Sequence, residues 1–404
     1  MAMKRISFIH GADLHLDSPM VGLSHLPKEI FERLKESSFT ALKTLVDAAI
    51  HHKVDFVILA GDLFDEQDRS VRAQTMLRKE MERLEIHGID VYVIHGNHDH
   101  LSGDWVHLGL PENVHIFSDE VEVKTYENTE AVVHLYGFSY PTRHVEDNQL
   151  VKYIKKEGAD FHIGILHGHF EGNSDHGRYA SFTTKELNEK NFDYWALGHI
   201  HKRQIIQSSP FIVYPGNIQG RNRKELGEKG CYLVQMTAQE TQIDFIGTAD
   251  IIWEYVRVDC KNINSFQDLY FQLQKIIEEK RLNGKGVLLI ITLLNIQLIE
   301  KEWISLKNGE LLQVLQEDEK GQNSFVWPIA IDIQDSFDWK REELEKESQF
   351  YKELFQTAHL ESITESIKPL YHHPTASRYL TPLSEKEKEA INNEALQVLI
   401  RLLH

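Results

Sequence analysis

The chain has 404 residues, with 62 acidic and 44 basic side chains and a formal charge of −18. Its 41% hydrophobic and 26% charged content is that of a folded globular protein, and the length allows two or three domains. Two cysteines exclude a disulfide framework or a four-thiolate zinc site, and the negative charge argues against a simple basic DNA-binding module. The 23 histidines point instead to metal or acid–base chemistry.

Met1-Ala2-Met3-Lys4-Arg5-Ile6 runs almost at once into a strand, so no secretory signal is expected. Arg5–Ile9, Phe56–Ala60 and Val91–Ile94 read as short buried strands, separated by helices at about Pro27–His51 and Ser70–Ile86. The first helix brings Ile30, Leu34, Ala41, Leu45 and Ala49 near one face. This strand–helix–strand alternation implies right-handed crossovers and a largely parallel sheet. After Pro111 short strands follow at Val114–Phe117, Val121–Lys124 and Val132–Phe138, and a helical stretch is expected at Asp147–Glu157. Strands at Phe161–Leu166, Tyr194–Leu197, Phe211–Tyr214, Tyr232–Met236 and Gln242–Ile246 complete an α/β domain with two sheets, residues 1–250.

From 251 to 335, strands Glu254–Val258, Gly286–Thr292 and Val326–Asp332, with a helix at Ser265–Arg281, make a small α/β module. Its apolar run Val287–Leu294 is far short of the roughly 20 residues of a membrane span, and a cytoplasmic protein with no membrane partner is expected. Residues 336–404 read as a helical, highly charged tail. Ser384 and Glu387 form a capping-box pattern ahead of an apolar stripe at Ile391, Ala395, Val398, Leu399 and Leu402. Leu344, Tyr351, Leu354 and Phe355 precede it.

Five polar clusters fall where predicted strands end: Asp13-Leu14-His15, Gly61-Asp62-Leu63-Phe64-Asp65, Gly96-Asn97-His98-Asp99, Leu166-His167-Gly168-His169 and Gly198-His199-Ile200-His201. In open α/β sheets ligands bind beyond the carboxyl ends of the strands, so the five describe one site. Carboxylate, amide oxygen and imidazole suit manganese, iron, zinc or magnesium, and the absence of Cys disfavours soft ions. Where the backbone is extended, Asp13-x-His15 and His199-x-His201 project both side chains to one side. Glycines at 61, 96 and 198 fit tight turns and close backbone approach.

This ordered set, D-x-H, G-D-x-x-D, G-N-H-D, H and G-H-x-H, resembles the calcineurin-like metallophosphoesterases. The wider sequence resembles their SbcD-type DNA repair exonuclease branch, and Ala12-Asp13-Leu14-His15-Leu16-Asp17-Ser18-Pro19 looks like its bacterial YhaO-like group. The resemblance implies an α/β/β/α core of two sheets, a small α/β cap and a helical C-terminal tail. It assigns Asp13, His15, Asp62 and His201 to one divalent metal, with Asp62 bridging to a second that Asn97, His167 and His199 complete. Mn2+ is the expected ion, with Fe2+, Zn2+ and Mg2+ as alternatives. His98 would approach the phosphate and stabilise or protonate the transition state, oriented by Asp65, a position where archaeal and eukaryotic relatives tend to carry His. His169 matches no ligand position.

The implied activity is two-metal-dependent DNA exonuclease or endonuclease hydrolysis in DNA repair, without a covalent enzyme intermediate. A phosphatase or cyclic-nucleotide phosphodiesterase would use the same core, and nothing in the five motifs separates them. The second motif does depart from the G-D-x-V-D-R-G of protein phosphatases, since Glu66-Gln67 follow Asp65. A binding scaffold with a vestigial site is a third reading, against which the intact ligand set and His98 count. Arg69, Arg72, Lys202, Arg203, Arg221, Arg223 and Lys224 lie near the motifs and are candidate contacts to DNA phosphates. His10 is expected to pack inside the first strand, and His51, His52, His372 and His373 to be solvated. The resemblance further implies that the C-terminal helices dock on the coiled-coil base of an SMC-like ATPase, and that the chain forms a homodimer.

Overall fold

The computed structural model describes residues 4–18, 23, 25–65, 69–102, 105–106, 108–145, 147–170, 180–334, 344–346, 348–357, 360–372 and 383–403. Pro19, Glu66, Gln67 and His373, and the side chains of Val398 and Leu402, lie outside the described residues.

Side-chain alternation explains the layering. In β1 (Arg5–Gly11) Ile6 and Phe8 face one core and Ile9 another. Likewise β2 (Phe56–Ala60) sends Phe56 and Ile58 one way and Val57 and Leu59 the other, and β3 (Asp90–Ile94) divides Tyr92 and Ile94 from Val91 and Val93. Strands apolar on both faces need cover on both. With β4 (Val114–Ile116) these strands pair in parallel, and β11 (Gly230–Thr237) and β12 (Thr241–Gly247) extend the β1 edge antiparallel. The resulting order is β12-β11-β1-β2-β3-β4.

A second six-stranded sheet contains β5 (Glu122–Glu127), β6 (Val132–Gly137), β7 (Phe161–His167), β8 (Tyr194–Gly198), β9 (Gln204–Ser208) and β10 (Phe211–Tyr214), in the order β5-β6-β7-β8-β10-β9. Its Ile163, Ile165, Ala196 and Val213 share a core with Phe8, Phe56 and Ile58, so the sheets stack face to face. Helices α1 (Lys28–His52) and α2 (Val71–Ile86) cover the outer face of the first sheet through Leu42, Leu45, Leu77 and Leu84. On the second sheet's outer face Leu166, Trp195 and Leu197 are covered by Leu150, Tyr153 and Leu187. Those residues come from a single 3-10 turn, Gln149–Lys152, with the residue that ends it, and from a short helix α3 (Thr184–Glu189). The helix expected at Asp147–Glu157 is therefore reduced to that turn: only Leu150 and Tyr153 are buried, while Val151 and Ile154 are exposed.

A third sheet is all parallel, β13 (Ile251–Asp259), β14 (Gly286–Leu294) and β15 (Val326–Gln334). Helices α4 (Phe266–Glu279), α5 (Glu300–Lys307) and α6 (Glu310–Asp318) pack on one face with Leu273, Leu289, Ile291 and Leu311. The other face, Ile251, Trp253, Leu288 and Trp327, packs on Leu26, Ile30 and Leu34 at the start of α1. The Arg33 guanidinium also donates to both Asp250 oxygens, at 2.9 and 2.7 Å. The small module thus shares a core with the first 250 residues, and the compact unit runs Met1–Gln334.

Asp335–His404 forms a second unit. It contains α7 (Gln349–Thr357), α8 (Leu360–His372) and α9 (Glu385–Leu403), with Leu344, Tyr351, Phe355 and Leu396 buried together. The capping box forms: the Ser384 N–H donates to Glu387 at 2.7 Å and the Glu387 N–H to the Ser384 hydroxyl at 3.4 Å. Leu396 turns inward, whereas Ile391, Ala395 and Leu399, the three members of the expected stripe whose side chains are described, are exposed. Among the described residues no helix is long and apolar enough to cross a membrane.

Candidate metal centre

The five clusters meet beyond one edge of the stacked sheets. Leu14, Leu16, Leu63 and Phe64, interleaved with the polar residues, are buried in the core beneath α1 and α2 and anchor the first two loops. The backbone there is not extended as expected: Asp13, His15, Asp62 and His199 have φ of 52°, 42°, 51° and 99°. Non-glycine residues rarely occupy this left-handed region, and such strain gathers at functional sites. Hydrogen bonds hold it in place, from the Asp13 N–H to the Gly61 carbonyl and from the His15 N–H to the Asp62 carbonyl, both at 3.0 Å. Two glycines let the loops close in. Gly61 has φ +91°, and a Cβ on Gly96 would lie 2.3 Å from Asp62 Oδ1 and 2.7 Å from the His167 ring.

Asp13, His15, Asp62, Asn97, His167, His199 and His201 are brought together. The Asp13 carboxylate accepts from the His199 N–H at 3.0 and 3.2 Å, and Asp62 Oδ1 from the His98 N–H at 2.9 Å. Asn97 Oδ1 lies 3.1 Å from both His167 Nε2 and His199 Nδ1, and Asp62 Oδ2 is 3.3 Å from His167 Nε2. Asp13, His15 and His201, and separately Asp13, Asp62 and His167, place their donor atoms within 4.8 Å of one another.

Tautomers test whether these residues suit cations. His15 Nδ1 faces Asp65 at 2.7 Å and His201 Nδ1 faces Glu225 at 2.8 Å. Ionised carboxylates only accept, so both Nδ1 atoms are donors and both Nε2 atoms direct lone pairs outward. Those two Nε2 atoms face each other at 3.0 Å, which calls for positive charge at that point. His167 Nδ1 donates to the Ala60 carbonyl at 3.0 Å, so its Nε2 likewise points at Asn97 and Asp62. The donor set fits a pair of hard or borderline divalent ions.

Charge is tightly paired around these donors. Burial disfavours a charged His167, but Asp62 and Asp13 outweigh it and push its pKa up to about 9, so a cation taken up on Nε2 would displace a proton. Burial likewise opposes the Asp62 carboxylate, yet His167, with His15 and His98, holds it well below its ordinary value. Burial, reinforced by His167, keeps His199 neutral. Against burial, the hydrogen bond from His201 draws Glu225 down to about 2.

His98 stands apart at the mouth, its side chain 35% exposed, with Nδ1 3.3 Å from Asp65 Oδ1. The Asp99 carboxylate accepts from the Leu63 and Gly96 N–H groups at 2.9 and 2.7 Å, tying the second motif to the third. His169 is buried, its ring centroid 6.3 Å from that of His199. His10 packs as expected, with the Tyr194 hydroxyl on Nδ1 at 3.0 Å and the Leu197 carbonyl on Nε2 at 3.2 Å.

The seven candidate DNA contacts divide. Lys202, Arg203, Arg223 and Lys224 are exposed, with Arg203 stacked 3.7 Å from the Phe245 ring centroid. Arg69 packs against Phe64 and Trp105, and Arg72 pairs with Asp17 and Glu36. Arg221 lies inside the site, donating to Asp65 at 3.0 and 3.2 Å. Sequence reasoning missed Glu225 and Asn217: their loop follows the last motif by a stretch whose length carries no ligand signal.

Residues 6–203 match the model of a family described as calcineurin-like phosphoesterase. The chain is 40% identical over 405 residues, 98% of each chain, to a Bacillus subtilis protein described as the uncharacterized metallophosphoesterase YhaO. It is 25% identical over 289 residues to the DNA double-strand break repair protein Mre11 of Methanocaldococcus jannaschii, covering 69% of this chain and 76% of that one. With the protein of the same description from Saccharolobus solfataricus it shares 27% over 338 residues, 78% and 84% of the two chains.

Proposed function

The chain belongs to the calcineurin-like phosphoesterase family as a metal-dependent phosphoesterase, and from that premise we propose that its substrate is DNA. The observation that carries the catalytic part is the convergence of lone-pair donors beside a half-exposed His98 seated on Asp65. Asp13, His15, Asp62 and His201 would hold one divalent ion, Asp62, Asn97, His167 and His199 the other, with Mn2+ as the proposed occupant. Such a pair, when bound, activates a water and offsets phosphate charge in the transition state.

The chain's own residues supply the rest. Asp65 holds His98 by Nδ1, leaving Nε2 to donate a proton to the departing oxygen. Lys202, Arg203, Arg223 and Lys224, which are exposed, would take flanking phosphates. A DNA substrate is further supported by the Saccharolobus alignment, whose 338 residues cannot fit within the first 203 and must include part of the third-sheet region or beyond. The exposed Ile391 and Leu399 on α9 suit docking on a coiled-coil SMC-like ATPase.

The test is a panel of labelled single- and double-stranded DNA, RNA, a cyclic dinucleotide and a chromogenic phosphate ester, each with Mn2+ or EDTA. Mn2+-dependent DNA cleavage is expected. Turnover of the ester or cyclic compound with DNA intact would reject the DNA reading and favour a phosphatase or cyclic-nucleotide phosphodiesterase.

A further inference from the structure

We propose that Glu225 is a positioning residue that fixes His201 as its Nδ1–H tautomer and so sets the affinity of one of the two cation sites. The inference rests on the reading of His15 and His201 as ligands of one ion, and it assigns work to a residue outside the five motifs.

Both oxygens of Glu225 are committed as acceptors. Oε1 takes His201 Nδ1 at 2.8 Å; Oε2 takes the Asn217 side-chain amide at 2.8 Å and the Arg221 backbone N–H at 2.8 Å. Arg221 then reaches across the site, its Nη1 on Asp65 at 3.0 and 3.2 Å and its Nε 3.9 Å from Glu225 Oε1. Asp65 in turn holds His15 Nδ1 at 2.7 Å. One loop therefore buttresses the two carboxylates that orient the facing imidazoles, and Arg221 joins them. Second partners of this kind fix ring orientation and tautomer, and their loss typically costs about 10–100-fold in metal affinity.

The acceptor count makes Glu225→Gln a sharp probe. The variant is nearly isosteric, but its amide has one acceptor and one donor end. If the amide oxygen stays with Asn217 and the Arg221 N–H, its NH2 faces His201 Nδ1. That arrangement drives the ring proton to Nε2, where it blocks the lone pair. The opposite rotamer sets the NH2 against two donors. Neither keeps the present arrangement, although the volume is preserved.

Metal-free wild-type protein and Glu225→Gln are titrated calorimetrically with Mn2+, and thermal unfolding of both metal-free proteins is compared. Wild type is expected to bind two ions, which tests the reading beneath the inference; failure there rejects both. The variant is expected to keep one site and weaken the other by about 10–100-fold, with unchanged unfolding. A variant with both sites intact, or both weakened together, would overturn the positioning role. Glu225→Ala serves as the second probe: loss at the same single site is expected, and an unaltered isotherm would count against the proposal equally.

Discussion

Four donor-bearing residues, Asp13, His15, Asp62 and His199, sit in left-handed backbone that a side chain ordinarily avoids. Each such residue costs of order 1–3 kcal/mol, and the cost persists only where surrounding contacts over-determine it. Around Asp13, His15 and Asp62, buried Leu14, Leu16, Leu63 and Phe64 do so, and the His199 N–H is held on the Asp13 carboxylate at 3.0 Å. The motif residues were legible because polar side chains clustered at the ends of apolar strands have few bland explanations. Glu225 was not, because its importance depends on which atoms of His201 it meets, a matter of three-dimensional return rather than spacing. Arg221 was legible as a cation near the site but not as a clamp on Asp65. At this scale the acceptor count at Glu225 makes the glutamine variant informative where a truncation alone would confuse tautomer with packing.

Strands that are apolar at every position, β2 and β10, were legible from sequence because both of their faces need cover. β9 escaped because it is a polar edge strand with most residues exposed or half-buried, and α3 because six residues carry little periodicity. The expected helix at Asp147–Glu157 failed for a related reason: its apolar spacing suits a helix, but only two of those residues find cover. Elements in the third-sheet region are joined by a partly buried ion pair. The Arg281 guanidinium donates to both Glu319 oxygens at 2.9 and 2.7 Å, and Glu319 also accepts the Val326 N–H at 2.8 Å, linking the end of α4 to the start of β15. Arg281→Ala leaves the buried Glu319 carboxylate without its counter-charge, which should cost about 1–3 kcal/mol in urea unfolding. A change under about 0.5 kcal/mol, the usual range for surface sites, would show the pair to be incidental.

Across the whole molecule the −18 charge and the proposed polyanionic substrate are reconciled by location. Bound cations would offset the site's carboxylates, and exposed Lys202, Arg203, Arg223 and Lys224 supply local positive charge. Affinity for DNA should accordingly fall steeply with salt. Residues 335–404 form their own unit with their own small core, Leu344, Tyr351, Phe355 and Leu396. Deleting them should leave Mn2+ stoichiometry and ester hydrolysis unchanged while abolishing capture of the proposed coiled-coil ATPase partner; capture by the shortened chain would sink the proposed docking role of α9.

In the proposed division of roles His98 acts on the substrate while its neighbours hold the ions. Measuring Mn2+ stoichiometry and DNA cleavage side by side in wild type and His98→Ala separates the two roles. Two bound ions in both proteins, with cleavage reduced about 10²–10⁴-fold in the variant, is the expected result. Cleavage at the wild-type rate, or loss of an ion with the imidazole, would contradict it.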